Sequence, residues 1–297
     1  MVMNKLQVKH SLLIATVLFT SSGLFAIENN FSNVRANNVN DVQVSNPNNT
    51  DQEGTWGTAK WKYDTNTQIL TINGGNSGLS KDAPWQSAGI AENIKEIDVT
   101  GKLSLIGDMT SLFSTNSSAD VLENLTIING IDKIDTSHVT SMKSMFEGTK
   151  ISSLDLSNWD TSNVEDMSYM FEPASELTKL DVGGSFGKNT KKVENMSFMF
   201  CNDNNLTKID HLDELNTSAV TDIRGMFLRD SNLTKLDVGG LFGKNTTKVE
   251  NMSFMFCNDN SLTKIDHLDE LNTSAVTKMI NMFSGDGSLQ SFNQERV

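Results

Sequence analysis

The chain has 297 residues, of which 37% are hydrophobic and 21% charged, so it can bury a core but not a large one. With 24 basic and 37 acidic residues, its formal net charge is −13, which argues against nucleic acid or an anionic membrane as the partner. Three prolines and two cysteines exclude collagen-like, proline-rich and disulfide-stapled classes of protein. The composition instead favours many short polar turns around a thin core.

Residues 1–36 are predicted to be a signal peptide with its cleavage region, cut after Ala26 or Ala36. A basic start precedes an apolar run over residues 12–27, which is too short and too polar to predict a membrane span. Without this segment the chain keeps 21 basic and 36 acidic residues, a net charge of −15. We therefore expect a secreted, extracellular protein with no membrane span after cleavage.

The next two segments differ sharply in composition. Residues 37–53 hold few apolar side chains and are predicted to be a disordered linker. Residues 54–105 are predicted to form a small β-rich unit. Within that unit, the alternating run WKYDTNTQILTING predicts a hairpin that turns at Asp64-Thr65-Asn66 and closes at Gly74-Gly75, and a further strand is expected over residues 94–99.

Internal repeats occupy residues 106–292, followed by a tail over residues 293–297. A Met-Phe pair recurs at spacings of 25, 29, 27, 29 and 27 residues. Residues 177–204 match residues 233–260 except at Ser185, which corresponds to Leu241, and at Lys191, which corresponds to Thr247. A recent internal duplication explains this identity. The pairs are Met145-Phe146, Met170-Phe171, Met199-Phe200, Met226-Phe227, Met255-Phe256 and Met282-Phe283.

Each repeat combines two patterns. In DTSNVEDMSYMF the apolar residues fall at helical spacing behind an N-cap at Asp160 or Thr161, which predicts a short helix. In LTKLDV, Leu180 lies on one strand face while Lys179 and Asp181 lie on the other. The sequence therefore predicts an α/β solenoid. It would be a leucine-rich-repeat-like stack with one short parallel strand and one short helix per coil of 25–29 residues, preceded by the β-rich unit.

The repeat LDLSNWDTSNVEDMSYMF and its copies, over about residues 107–292, resemble the BspA-like leucine-rich-repeat surface proteins of bacteria. The segment GTWGTAKWKYDTNTQILTING also looks like the domain that precedes such repeats in exported Gram-positive proteins. The resemblance implies a cell-surface adhesin that binds host extracellular-matrix or mucosal glycoproteins, or other cells, without catalytic residues. Larger members carry a wall-sorting signal, which this sequence lacks. It is therefore expected to be a C-terminally truncated or a soluble secreted relative.

The solvent face of the predicted strands carries two rows of charge. Stacked like charges repel, and a neighbouring row of opposite sign offsets that repulsion, so the pattern could be structural alone. It could also form a flat ligand surface, as in other solenoids. The ligand-binding candidates are Lys179, Asp181, Lys208, Asp210, Lys235, Asp237, Lys264 and Asp266, with Asp155 continuing the acidic row.

The other candidate sites favour structural roles. Methionines at helical spacing indicate core packing rather than a methionine-rich groove. Cys201 and Cys257 lie two coils apart, too far for an intrachain disulfide. His211 and His267 stand beside aspartates but lack a nucleophile or a complete set of zinc ligands. The loops over residues 201–205 and 257–261 lack the calcium-loop pattern, so we expect no metal and no cofactor.

Two alternatives to a binding protein stay open. A secreted polysaccharide or cell-wall hydrolase would need two carboxylates about 5–9.5 Å apart in a cleft. A truncated, non-functional adhesin copy would expose an apolar edge at its last coil, around Met279 to Phe283.

Overall fold

The computed structural model describes residues 51–115 and 122–290. The predicted signal peptide, nearly all of the predicted linker and the predicted tail lie outside the described residues. Everything that follows belongs to the unit Pro47–Val297.

The predicted hairpin is confirmed near the start of the described chain. Gln52–Trp56 (β1), Ala59–Asp64 (β2) and Ile69–Asn73 (β3) form an antiparallel meander, with Trp61 of β2 opposite Ile72 of β3. The Asp64 carboxylate accepts the backbone N–H groups of Asn66 and Thr67, which closes the turn. Alternate residues of β2 are buried, as a strand with one face on a core requires.

The chain then crosses between two sheets. Gly75–Asn76 (β4) and the short helix Pro84–Ser87 (α1) precede Glu96–Val99 (β5), which confirms the strand predicted over residues 94–99. Leu103–Asp108 (β6), Ile127–Asn129 (β7) and Ile134–Ser141 (β8) follow. One sheet has the order β1-β2-β3-β5-β7 and the other the order β4-β6-β8, and the later strands of both pair in parallel.

Short parallel strands recur through the repeats. Ser153–Asp155 (β9), Lys179–Asp181 (β10) and Ile209–Asp210 (β11) form one sheet, and Lys235–Asp237 (β12) and Lys264–Asp266 (β13) form another. All of these pairs are parallel. In each strand the central apolar residue is buried and its first neighbour faces solvent, as the alternation in LTKLDV predicts.

The predicted helix over the Met-Phe segments is wrong. Tyr169, Phe198 and Phe254 have φ angles of 59°, 57° and 59°, in the left-handed region, so each segment is a tight turn. From residue 142 to residue 256, N–H groups at alternate positions of each segment donate to the next repeat, while others close the turn locally, as Met145 does to Met142 and Met226 does to Ile223. The N–H groups of Met167, Tyr169 and Phe171, for example, donate to the carbonyls of Asn195, Ser197 and Met199 in the next repeat at 2.9, 3.0 and 3.0 Å. The N–H of Ser168, between them, donates to the Asp166 carboxylate instead.

The residues predicted as helix caps stabilise these turns instead. The Asp160 carboxylate accepts the N–H of Ser162 at 2.9 Å, and the Thr161 hydroxyl donates to the carbonyl of Phe186 at 2.7 Å. The α-helices of the described repeats lie elsewhere, shortly after strands, at Gly184–Lys188 (α2) and Gly240–Lys244 (α3). Single 3₁₀ turns lie at Ile131–Lys133, Leu212–Glu214, Thr246–Lys248 and Leu268–Glu270. Parallel bridges join the turns of successive repeats from Ser141 through Asp166, Asn195, Asp222 and Asn251 to Lys278.

The Met-Phe residues form the core, which confirms the packing role predicted for the methionines. Apart from Phe283, which is partly exposed, the methionine and phenylalanine of each pair are buried. The phenylalanine rings stack from one repeat to the next with centroids 5.3–5.8 Å apart. Each stacked pair contributes about 0.5–1.5 kcal/mol beyond its buried area. This ring column runs through Phe146, Phe171, Phe200, Phe227, Phe256 and Phe283.

Candidate functional site

The charged candidates meet on the exposed face of the short strands, called the strand face below. Lys235 lies directly opposite Lys264, and Asp237 directly opposite Asp266. In the other sheet, Asp181 lies between Asp155 and Asp210. The candidates therefore form two aligned groups, because β11 and β12 belong to different sheets.

The lysine ion pairs on the strand face run along a strand rather than across it. Lys208 pairs with Asp210, and Lys264 pairs with Asp266. Lys179 and Lys235 are exposed and have no ion-pair partner among the described residues. An anionic ligand would therefore find two uncommitted ammonium groups on this face, while the paired lysines would have to exchange a carboxylate for it.

The two histidines contribute to the same face. His211 Nδ1 lies 2.9 Å from Asp181 Oδ1, and His267 Nδ1 lies 2.8 Å from Asp237 Oδ1. The hydrogen bond and charge of each aspartate raise the pKa of its histidine. Both imidazoles are exposed, so acidification adds positive charge to the strand face where water and ligands can reach it.

Beside each histidine lies a contact that sequence reasoning missed, in which a glutamate binds both a glycine N–H and a lysine of the preceding repeat; it is called the clasp below. Glu214 accepts the N–H of Gly184 at 2.7 Å and pairs with Lys188 at 3.2 Å. The backbone hydrogen bond from Gly184 lowers the pKa of Glu214. The duplicated copy repeats the arrangement with Glu270, Gly240 and Lys244. The clasp holds the start of α2 or α3 against the following repeat.

A surface depression near the N-terminal sheets offers little for hydrolysis. It is lined by residues that include Lys81, Asp108 and Ser111. Asp108 is its single lining carboxylate, and its Oδ1 accepts both the N–H and the hydroxyl of Thr110. A conventional glycosidase needs two carboxylates, so this depression does not have the required pair.

Across residues 51–115 and 122–290, no three or more histidine, cysteine, aspartate or glutamate side chains are placed to hold a metal ion. Over the same ranges, no helix has the length and apolar character needed to cross a membrane.

The last coil, where a truncated copy would expose an apolar edge, has both exposed and buried apolar side chains. Met279 is 44% exposed and Ile280 is 61% exposed, whereas Met282 is buried and Phe283 packs against the core. Residues 291–297, which follow in the chain, lie outside the described residues.

A column of buried aspartates runs through the later repeats. Sequence reasoning missed it and gave the loops over residues 201–205 and 257–261 only a structural role. Asp203, Asp230 and Asp259 are fully buried. Their Oδ1 atoms accept the backbone N–H groups of Ala174, Asp203 and Asp230 at 2.6, 2.9 and 2.8 Å. Asp286 Oδ1 accepts the N–H of Asp259 at 2.9 Å. The available signal was an aspartate standing three residues after the phenylalanine of four successive Met-Phe pairs.

The two cysteines lie beside this column as buried free thiols. Cys201 Sγ contacts Glu172 Oε1 at 3.6 Å, and burial raises the pKa of this thiol. Burial also raises the pKa of Cys257. Neither thiol has the depressed pKa that a catalytic nucleophile requires.

Comparison with known proteins gave one family. Residues 107–235 and 184–295 match the family described as "Mycoplasma protein of unknown function, DUF285", and together they span more than half of the chain. No curated protein matches the chain. A crystal structure of a leucine-rich repeat protein from Eubacterium ventriosum matches at 11% identity, covering 84% of this chain and 98% of that one, with a TM-score of 0.20.

Proposed function

The chain belongs to the DUF285 family, and we propose that it is an exported, non-catalytic binding protein of the BspA-like, leucine-rich-repeat type. In this proposal it acts as a bacterial surface adhesin that recognises host extracellular-matrix or mucosal glycoproteins, or other cells, through the strand face. It acts outside the cell, either free or held at the surface.

We further propose that the repeats stack as a solenoid. Two observations support this. The short strands pair in parallel within their sheets, and the Met-Phe turns of six successive repeats, from Ser141 to Lys278, are joined by parallel bridges. Both patterns advance by one repeat at each step, which is the arrangement of a linear stack.

The alignment of exposed charges on the paired strands is the observation on which the function rests. A parallel pair places Lys235 beside Lys264 and Asp237 beside Asp266, at the spacing of neighbouring strands, about 4.8 Å. Holding like charges so close costs free energy unless a ligand or a counter-charge lies over them. Many weak polar contacts at a regular spacing suit an extended, repetitive ligand.

The proposal is tested by surface plasmon resonance with the purified chain on immobilised fibronectin, fibrinogen and mucin. A strand-face variant replaces four lysines with alanine: Lys179, Lys208, Lys235 and Lys264. A matched control variant replaces four exposed lysines outside the strands: Lys143, Lys191, Lys192 and Lys248. The two variants have the same net charge, so any difference between them reflects position.

We expect saturable binding that weakens about 10- to 100-fold in the strand-face variant, at about 0.2–1 kcal/mol for each exposed contact, and that survives in the control variant. Equal weakening in both variants would assign the binding to net charge and remove the strand face as the site. A folded wild-type chain that binds none of the three proteins would contradict adhesion to host glycoproteins.

A further inference from the structure

Each of the four aspartates in the buried column uses only one of its two carboxyl oxygens in a hydrogen bond. The four are Asp203, Asp230, Asp259 and Asp286. In every one, Oδ1 accepts a backbone N–H group from the preceding repeat. In every one, Oδ2 is shielded from solvent and has no hydrogen-bond partner among the described residues. A buried carboxylate with an empty acceptor costs several kcal/mol, whereas a neutral carboxyl group costs far less.

The surroundings offer no counter-charge inside the core. The titratable and charged groups that face the column are Glu172, Cys201, Arg229 and Cys257. Glu172 is itself acidic, and its Oε1 accepts hydrogen bonds from Cys201 and Asn202. Arg229 is the one cation among these groups, and its side chain is exposed.

A bound cation does not explain the column either. Calcium takes six to eight oxygen ligands, and magnesium needs an octahedron that usually includes several waters. The column offers one free oxygen per repeat, and the described residues contain no cluster of three or more acidic, histidine or cysteine side chains that could hold a metal. Protonation is the remaining way to neutralise the stacked carboxyl groups.

We propose that the column Asp203–Asp230–Asp259–Asp286 makes the stability of the later repeats depend on pH. As neutral carboxyl groups, the aspartates let these repeats pack tightly. As the carboxyl groups ionise, stacked negative charges develop in the core, and the segment from residue 203 to residue 286 loosens ahead of the rest of the chain.

The direction of the effect follows from the pKa of each group. Burial, followed by the charge of neighbouring acids, raises the pKa of Asp203 and Asp230 well above the ordinary range. Burial also raises the pKa of Asp259 to about 8 and raises that of Asp286. Groups with a raised folded pKa stabilise the fold fully below their unfolded pKa, near 4. That contribution is lost as the pH rises through the folded pKa.

Hydrogen exchange read by mass spectrometry on the full wild-type chain measures this pH dependence directly. The four tryptophans, Trp56, Trp61, Trp85 and Trp159, all precede the column, so their fluorescence would miss a local opening. Each column carboxyl that stays neutral in the folded state should raise the opening equilibrium about tenfold per pH unit. After correction for intrinsic exchange, we expect residues 203–286 to lose protection between about pH 5 and about pH 8, while residues 139–171 change much less.

Substitution separates ionisation from packing. The variant carrying Asp203→Asn, Asp230→Asn and Asp259→Asn keeps an oxygen acceptor at each position but cannot ionise, so its pH response should flatten even if it is less stable. Asp269→Asn, at an exposed position in the same region, serves as the matched control and should keep the wild-type response. If the triple variant fails to fold, the single Asp230→Asn variant should show a reduced slope.

Infrared spectroscopy gives a second readout on the wild-type chain alone. The carbonyl stretch of protonated carboxylic acid should persist at about pH 7, well above the ordinary aspartate pKa of about 3.9. Wild-type protection that changes with pH equally in residues 203–286 and 139–171 would overturn the proposal. So would the absence of a protonated carboxyl band at neutral pH.

Discussion

The earlier and later repeats fill the same core position with different chemistry. Three residues after the phenylalanine of each Met-Phe pair, the earlier repeats carry Thr149 and Ala174, and the later ones carry Asp203, Asp230 and Asp259. All five are fully buried. A small neutral side chain therefore satisfies this position, so the fold does not require a carboxyl group there. The aspartates add a titratable property that the earlier repeats lack.

The largest expected effect tests what the two regions share. Phe171→Ala in an earlier repeat and Phe227→Ala in a later one should each destabilise the chain by about 3–5 kcal/mol, because each removes a buried ring from a continuous stack. Urea unfolding followed by circular dichroism measures both. Leu241→Ser is the control, since Leu241 is partly exposed and its duplicated counterpart is Ser185. A much smaller loss in one region would show that the ring column does not stabilise both alike.

A smaller effect comes from extending the column into the earlier region. Ala174→Asp should cost about 2–4 kcal/mol at neutral pH, because it buries one more carboxyl group beside Asp203. The loss should shrink in acid, where the new group is neutral. Urea unfolding at about pH 5 and about pH 8 separates the two conditions. A cost that is the same at both pH values would point to steric crowding instead.

Removing one carboxyl group from the later region should reduce, but not abolish, the pH dependence of the free energy of unfolding. Asp230→Asn should reduce the pH dependence of the free energy of unfolding by about 1.4 kcal/mol per pH unit between about pH 5 and about pH 8. The physical reason is that folded wild-type Asp230 retains a proton which the unfolded chain releases. The same urea series measures the slope, and an unchanged slope would mean that Asp230 is already ionised in the fold.

The smallest effect concerns the strand face. Because their aspartates raise the pKa of His211 and His267, both histidines gain charge on mild acidification. The attraction of each histidine for its aspartate, Asp181 or Asp237, is complete below the unfolded pKa of histidine and is lost as the pH rises through the raised folded pKa. If an anionic ligand binds the strand face, the double variant His211→Gln and His267→Gln should weaken binding about two- to fivefold in acid and leave it unchanged above that range. A loss of equal size at alkaline pH would contradict a role for histidine charge.

The local β structure could be predicted because it depends on neighbouring residues. The alternation around Trp61 and Leu70 and the turn chemistry of Asp64 specify the hairpin within one short segment. The strands at Leu180 and Leu236 likewise show their buried and exposed faces directly in the sequence. For the same reason, the strand-face candidates could be named, although their division between two sheets could not.

The Met-Phe turns could not be predicted in the same way. The spacing of Val164, Met167, Met170 and Phe171 buries one face equally well in a helix or in a stacked turn. What decides between them is where the N–H groups find acceptors, and at alternate positions those acceptors lie in the next repeat, as for Tyr169 and Ser197. The aspartate column was missed for a related reason, since CNDN alone reads as a polar turn and its burial depends on the repeats on either side.

The contacts between repeats also determine how this chain can change length. In the ring column and in the bridged turns, each repeat presents to the next one the same kinds of group that it receives from the previous one. Residues 177–232 form a 56-residue block that begins, like the block after it, with the segment LTKLDVGG. Removing or copying that block joins surfaces that are already complementary. Recombination can therefore lengthen or shorten the charged face in whole steps without requiring a new interface, which makes the number of repeats a readily variable trait.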